Sequence, residues 1–380
     1  MADNNENKVL NVPHLRFPEF SGEWNKYTIN DLATVVGGGT PDTTVKSYWG
    51  GDIQWFTPSE IGKNKYVDFS KRTITRDGLD NSSAKLLPLH TILLSSRATV
   101  GECSIASNEC TTNQGFQSLI AKQCNIDFLY YLIQTKKKDL IRNACGSTFL
   151  EISANEIRKI KVAVPVQNEQ EQIAKLLSLI DERIATQNKI IEDLKKLKSA
   201  ISERLFKSVK GFTVLLSDLC DIVKGKQING ENLSDSGNYY VMNGGTEPSG
   251  YYDNYNVEAS TISISEGGNS CGYVQFNTSP FWSGGHCYSI QNIADKVDNM
   301  YLYHYLKSNE DAIMKLRIGS GLPNIQKKDL AMFKIIVPKI EWQIKISTFL
   351  SSLERKAEIE ERIQNVMQKQ KLYLLQQMFI

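Results

Sequence analysis

The side chains best suited to chemistry here sit on glycine-rich loops, and the chemistry they suit is recognition of nucleic acid. Arginine and lysine pair with phosphates or guanine edges, asparagine and glutamine match adenine, and a carboxylate can accept from cytosine. In the first half of the chain these residues are Lys63, Lys65, Lys71, Arg72, Arg76, Ser96, Arg97, Thr99, Asn113 and Gln114. In the second half they are Lys224, Lys226, Gln227, Asn229, Asn243, Asn269, Ser283, His286 and Arg317, with Glu266 as a candidate acceptor for cytosine. Any soluble surface carries such residues, so one taken alone says little. Arg97 stands above the rest. It follows Ile92-Leu93-Leu94-Ser95-Ser96 and precedes Ala98-Thr99-Val100-Gly101, which puts a guanidinium at a strand end beside a turn. A bidentate contact with guanine and a structural salt bridge are both open to it. The equivalent turn in the second half is Ser265-Glu266-Gly267-Gly268-Asn269-Ser270, where two glycines permit close backbone approach or simply form a turn.

Catalytic sets do not assemble from this sequence. It has no Gly-x-x-x-x-Gly-Lys-Ser/Thr loop, and Gly37-Gly38-Gly39-Thr40-Pro41 lacks the spacing of a dinucleotide-binding turn. It has no Asn/Asp-Pro-Pro-Tyr/Phe, the set amino-methylating enzymes use to hold a target amine. Pro41-Asp42 followed by Glu60-Ile61-Gly62-Lys63 approaches the carboxylate cluster a magnesium nuclease needs, but its Glu-to-Lys spacing is one residue too long. His14, His90, His286 and His304 show no ligand spacing, and His304 beside Tyr303 reads as part of an ordinary helix. The seven cysteines lack Cys-x-x-Cys spacing, which argues for reduced thiols in a cytoplasm and against a zinc site. Forty-four basic against 42 acidic residues give a net charge of +2 over 380 residues, so DNA binding would need local patches or a partner. Residues Met1 to Leu10 are acidic and Asn-rich and do not read as a signal peptide, and no run of eighteen apolar residues spans a membrane.

What positions these loops is written in two long helical stretches. Between Glu171 and Phe206, Ile173, Leu177, Ile180, Ile184, Ile191, Leu194, Ile201 and Leu205 fall on one 4-3 seam, with Gln187 and Lys198 in the two remaining places. A repeat of about 3.5 residues kept over five heptads is a coiled-coil helix, roughly 54 Å long at 1.5 Å per residue. Pro165 precedes it, and Asn168 with Glu171 fits a capping box. The seam needs a partner, and the same chain supplies one. At a constant offset of 173, Val164-Pro165, Gln170, Ile173, Leu177, Lys198 and Phe206 recur as Val337-Pro338, Gln343, Ile346, Leu350, Lys371 and Phe379. The offset also maps Gly146-Ser147 onto Gly319-Ser320 and Phe128-Leu129-Tyr130 onto Tyr301-Leu302-Tyr303. This is an internal duplication. The expected helix-pair and partner interface is Ile173, Leu177, Ile180, Ile184, Leu194 and Ile201 with Ile346, Leu350, Leu353, Met367 and Leu374. Leu176, Ile190 and Leu197 in one copy, and Phe349, Ile359, Val366 and Leu375 in the other, are apolar off the seam and expected to be exposed.

Residues 21–145 carry short β-like runs (Thr34-Val36, Ile53-Phe56, Thr91-Ser95, Gln117-Ala121) and then a helical stretch from Asp127 to Asn143. Asp218-Leu219 and Ile222-Val223 echo Asp31-Leu32 and Val35-Val36, now at an offset of 187. The expected fold is therefore α+β: two globules alternating with two long helices that pair as an antiparallel coiled coil, in a pseudo-two-fold repeat. The expected divisions are a tail at 1–20, a globule at 21–145, a helical spacer at 146–206, a globule at 207–318 and a second spacer at 319–380.

The chain resembles the specificity subunits of type I restriction-modification systems. The residues that carry the likeness are Val12-Pro13, Leu15-Arg16-Phe17-Pro18, Trp24 and Gly38-Gly39-Thr40-Pro41. The blocks Gly146-Ser147, Ile152, Val162-Ala163-Val164-Pro165, Glu169-Gln170 and Ile173, and Gly319-Ser320, Val337-Pro338, Gln343 and Ile346, extend it over nearly the whole chain. The resemblance implies two target recognition domains, each reading half of a split site in double-stranded DNA. It implies no catalysis by this chain, which instead docks methyltransferase and restriction subunits in a cytoplasmic defence system. S-adenosylmethionine, ATP and Mg²⁺ are then expected on the partner subunits and none on this chain. The sequence departs from the pattern at Trp342, which stands where the first copy has Glu169, and at Glu341, which replaces Asn168. A structural coiled-coil adaptor that reads no DNA is the alternative.

Overall fold

The short apolar runs of the first half become strands in two ways: Ala33–Gly37 alternates buried and open positions, whereas Ile92–Leu94, Cys103–Ala106 and Cys110–Thr112 are buried throughout. β1 (Asn25–Thr28) leads through the short helix α1 (Ile29–Leu32) into β2 (Ala33–Gly37). β3 (Trp49–Phe56), β4 (Tyr66–Val67), β5 (Arg72–Ile74), helix α2 (Arg76–Asp80), β6 (Ile92–Leu94), β7 (Cys103–Ala106), β8 (Cys110–Thr112) and β9 (Gln117–Ala121) follow. They form one sheet ordered β2-β9-β6-β7-β4 and another ordered β5-β3-β8. Helices α3 (Ile126–Thr135), α4 (Lys137–Arg142) and α5 (Ala154–Lys159) come next, and β10 (Lys161–Val164) returns antiparallel to β1. The computed structural model describes residues 11–146, 150–319, 321 and 323–380. Residues 1–10 of the expected tail, and Ser147 and Ser320 of the repeat, lie outside them.

One helix was expected from Asp127 to Asn143, but the chain breaks at Lys136, where φ is −90° and ψ 7°. Asn125 caps α3 by accepting the Phe128 N–H at 3.0 Å, and Leu140 beyond the break is fully buried in the same core. The long helix α6 (Gln167–Ser208) has 42 residues and starts earlier than its expected cap. The Val166 carbonyl already accepts from Glu169 and Gln170 at 3.0 and 3.1 Å, so Asn168 lies within the first turn and does not cap it.

The second half repeats the plan. β11 (Phe212–Leu215), β12 (Asp221–Lys224), β13 (Tyr239–Met242), β14 (Tyr251–Tyr252), β15 (Thr261–Ser265), β16 (Val274–Asn277), β17 (Trp282–Ser283) and β18 (Cys287–Gln291) precede helices α7 (Asn299–Ser308), α8 (Glu310–Met314) and α9 (Lys327–Ala331). β19 (Lys334–Val337) pairs antiparallel with β11, and α10 (Ile340–Gln377) follows it. The sheet order β12-β18-β15-β16 reproduces β2-β9-β6-β7, and the parallel pair β13–β17 reproduces β3–β8.

The chain divides into two compact units, residues 1–188 with 363–380 and residues 189–362. In the first, Trp24, Phe128, Ile173, Leu177, Met378 and Phe379 share one core. There α6 and α10 meet through Asp181–Lys371 at 2.6 Å and through Asn188 with Gln364. In the second, Phe206, Tyr301, Ile346 and Leu350 share the core, and the helices meet through Lys195–Glu361 at 2.6 Å and through Lys198 with Glu354. Within each unit, rising numbers on α6 meet falling numbers on α10, so the pairing is antiparallel.

The seam is as expected. Ile173, Leu177, Gln187, Ile191, Ile346 and Leu350 are buried, and Ile180, Ile184, Leu194, Ile201, Leu353, Met367 and Leu374 are half-buried. Off the seam, Ile190, Leu197, Phe349, Ile359 and Val366 are exposed. Leu375 is instead buried, and Leu176 is half-buried against the core of the first unit. The physical reason is that the end of α10 lies inside that core, so more than one of its faces is covered. The N-terminal segment adds to the cover: the Leu15 N–H donates to the Gln377 carbonyl at 2.8 Å. Arg16 and the Trp24 indole both bind Glu169, at 2.7 and 3.2 Å.

Candidate nucleic-acid interface

In each unit, loops from several strand ends converge on one edge, and the sheet order dictates which. In the second unit β12 ends at Lys224, β15 ends at Ser265 and β18 starts at Cys287, and these three strands are neighbours. Lys224, Glu266 and His286 therefore meet although they are far apart in sequence. Glu266 is only 7% exposed. Its Oε1 receives the Lys224 ammonium at 2.6 Å and lies 3.0 Å from the Tyr288 hydroxyl. Burial first, and the Glu266 carboxylate second, push the Tyr288 phenol pKa up, so it stays protonated and donates. Glu266 Oε2 is buried without a hydrogen bond and faces His286 Nδ1 at 3.9 Å. The His286 N–H is held by Asn243 Oδ1 at 3.2 Å. Side chains on Gly284 and Gly285 would collide with Asn243 and Gln227, so this rim is built of residues that need the glycines.

The first unit puts different residues at the matching edge. Ser95 Oγ donates to the Arg97 carbonyl at 3.0 Å, as Ser265 Oγ does to the Gly267 carbonyl at 3.3 Å. The Ile152 N–H donates to the Ser96 carbonyl at 2.9 Å, as the Ile325 N–H does to the Glu266 carbonyl at 2.8 Å. Arg97 thus matches Gly267, and Ser96 matches Glu266. Arg97 Nε binds Glu151 at 3.0 Å, and both side chains stay about two-fifths exposed, at 44% and 41%. The expected turn equivalence holds, and each edge carries a cation held by a carboxylate, drawn from different positions.

The remaining candidates separate by exposure. Lys63, Arg76, Thr99, Gln114, Lys226, Gln227, Asn269 and Arg317 are exposed. Gln114 accepts from Thr40 of the glycine-rich loop, and Thr99 shares a hydrogen bond with Ser95. Asn113 is half-buried and accepts the Gly115 N–H at 2.9 Å. Arg72 is exposed, with its guanidinium 3.6 Å from the centre of the Trp49 ring. Ser96 and Ser283 are fully buried, so their side chains stand behind the surface. Lys65 is turned inward to Ser178 and Asp127, at 2.6 and 2.7 Å. The nuclease-like pair is used locally: Asp42 accepts from Thr44, and Glu60 accepts from Thr57 and from the Lys71 N–H. Among the described residues no group of three or more His, Cys, Asp or Glu side chains could hold a metal ion, and no helix is long and apolar enough to cross a membrane. Sequence reasoning missed Glu151, Tyr288 and Trp49 as partners. A Ser-to-Glu change between matching turns was the one available signal for the buried carboxylate.

Residues 21–196 and 211–369 match the family described as type I restriction modification DNA specificity domain. The MjaIX specificity subunit of Methanocaldococcus jannaschii is 38% identical over 192 residues, covering 48% of this chain and 44% of that protein. The EcoR124I/EcoR124II specificity subunit of Escherichia coli is 29% identical over 175 residues, covering 44% and 43%. These two matches span under half the length of either relative. The match to the Escherichia coli EcoprrI specificity subunit is longer, at 24% identity over 367 residues and 87% of both chains. The crystal structure of the type I restriction-modification S subunit from M. genitalium superposes with a TM-score of 0.64 over 97% of this chain and 99% of that one. At 19% identity that likeness speaks for the fold alone.

Proposed function

This chain belongs to the family of type I restriction modification DNA specificity proteins, and from that premise we propose that it is the non-catalytic subunit that selects a bipartite DNA site. The observation that carries the reading is the repeated loop edge, which in each unit presents a cation held by a carboxylate at the ends of neighbouring strands. Each edge has the side chains to contact phosphates and base edges over a short half-site. A half-site of a few base pairs discriminates by about 1–3 kcal/mol per mismatch, and coupling two of them in one chain multiplies the selectivity.

A chain with a net charge of +2 needs help to bind the phosphate backbone. Methyltransferase and restriction subunits docked on it would provide that help. One solved relative of this fold, with a TM-score of 0.60, was described for complex assembly and conformational transition of the type I system. The exposed apolar residues Ile190, Leu197, Phe349, Ile359 and Val366 give such subunits a surface on the long helices. S-adenosylmethionine, ATP and Mg²⁺ belong on those partners in this reading.

The test is to co-express the chain with its methyltransferase partner in a methylation-free host and sequence the methylated positions. A split recognition sequence that disappears when this chain is omitted is the expected result. Methylation that is absent, or unchanged without the chain, would instead favour an adaptor that reads no DNA.

A further inference from the structure

We propose that the second unit meets DNA through Lys224 and His286, and that the buried Glu266 carboxylate behind them is a positioning residue and not itself a reader of bases. This rests on the reading of the chain as a DNA-specificity subunit, and it reverses the role expected of Glu266 from sequence.

A carboxylate buried to 7% exposure is costly unless it is paired. Glu266 meets that cost on one oxygen only, through Lys224 and Tyr288. The other oxygen is buried and makes no hydrogen bond, with the His286 ring nitrogen 3.9 Å away. A side chain so placed cannot swing out to a base without uncovering its charge partner. What it does is fix one donor that is itself open to solvent, Lys224 at 54%, beside the equally open His286 ring at 64%. The ammonium has three donors, one of which is used on Glu266, leaving two directed elsewhere. The approach is kept low by glycines. Gly225 and Gly284 leave no room for a Cβ, and Gly244 takes a φ of +85°.

The ligand chemistry is a hydrogen-bond acceptor on DNA, supplied either by a phosphate oxygen or by the acceptor edge of guanine. The two sources leave different traces. The assembled complex of the full chain with its methyltransferase partner is titrated with cognate and scrambled duplexes at several salt concentrations, and its methylated sites are sequenced. With Lys224→Met, a phosphate contact weakens binding to every duplex and lowers the slope of log K against log salt by about one. A base contact relaxes one position of one half-site. Either trace supports the proposal.

Glu266→Gln keeps the shape and removes the charge. It is expected to reproduce the Lys224→Met effect, and the double variant Lys224→Met/Glu266→Gln is expected to be no worse than either alone. His286→Ala is expected to weaken binding in the same direction. If all these variants bind and methylate like wild type, the proposal is wrong. If the Glu266→Gln and Lys224→Met losses add fully, Glu266 does not act through Lys224. If wild type itself methylates no split sequence, the underlying reading fails and takes this inference with it.

Discussion

Gln170, in the first turn of α6, accepts the backbone N–H of Asn125 through Oε1 at 3.0 Å. Its amide nitrogen donates to the Pro165 carbonyl at 2.9 Å. At the offset of 173, Gln343 accepts the Asp298 N–H at 2.9 Å and donates to the Pro338 carbonyl at 2.9 Å. A buried amide thus ties the start of each long helix to an N-cap within its unit, that of α3 in the first and that of α7 in the second. Gln343→Ala takes this partner from one backbone donor and from two backbone acceptors, the Pro338 and Lys296 carbonyls, so it is expected to cost about 1–3 kcal/mol. Urea denaturation measures this. A midpoint equal to wild type would mean that water replaces the amide without loss.

The seam and its flank make opposite forecasts. Leu177 and Leu350 are fully buried in their own units, whereas Leu197 is half exposed, at 50%. Leu177→Ala and Leu350→Ala are each expected to cost about 2–5 kcal/mol, because a cavity forms and packing is lost. Leu197→Ala is expected to stay within about 0.5 kcal/mol, as surface changes usually do. Equal losses at 177 and 197 would contradict the assigned seam. If Leu197→Ala also weakens co-purification with the methyltransferase partner while stability holds, that face is where the partner docks.

Arg97 and Glu151 remain open to solvent, at 44% and 41% exposure. An ion pair this exposed contributes at most about 1 kcal/mol to stability. Arg97→Ala is therefore expected to leave the unfolding midpoint nearly unchanged. Under the DNA-contact role it lowers affinity for the methylated site, and methylome sequencing shows whether one half-site relaxes. A variant that unfolds early and methylates normally would make the pair structural.

The parts of this fold legible in sequence are those with a one-dimensional period. The heptad seam needs only a count along the chain, and Gln170 and Gln343 show themselves through a constant offset. The parts that were not legible depend on which strands become neighbours. Lys224 and Glu266 are joined because β12 and β15 flank β18, a relation no spacing encodes. Arg97 finds Glu151 across an isolated bridge, and Leu375 is buried because the end of α10 enters a core built mostly from the other end of the chain. Polarity alone put Ser96, Ser283 and Glu266 among surface candidates, whereas burial keeps their side chains behind it.

His304 occupies in the second unit the place Tyr131 has in the first. Its Nε2 lies 2.9 Å from Ser351 Oγ, with Glu354 3.9 Å away. Burial pushes its pKa down to about 4 from 6.5; Glu354 and Asp298 oppose this and Lys198 adds to it. The unfolded chain therefore binds a proton below pH 6.5 that the folded chain refuses until about pH 4. Stability is full above pH 6.5 and falls as the pH drops through that window. Between pH 6.5 and 5 the loss from this group is roughly 2 kcal/mol. His304→Asn should lose less over the same range by about that amount, as read from denaturation midpoints at the two pH values. An unchanged pH slope in the variant would assign the acid sensitivity to other groups.

Residues 21–145 supply β2 to β9 and every first-unit candidate contact, and residues 207–318 supply the corresponding set in the second. The main core of each unit closes on itself: Trp24, Phe128 and Leu177 in one, Phe206, Tyr301 and Leu350 in the other. Exchanging residues 21–145 for the same region of a relative should therefore change the bases read in one half of the methylated sequence and leave the other half as it was. The polar residues that tie each globule to the long helices set the conditions for success. The donor must keep counterparts of Tyr131 and Lys65, whose partners Asp181 and Ser178 lie outside the exchanged region. A donor lacking them is expected to give an unstable chimera, visible as early unfolding before any question of DNA arises. A stable chimera whose two half-sites both change would show that the edges are coupled, and would overturn the assignment of one half-site to each unit.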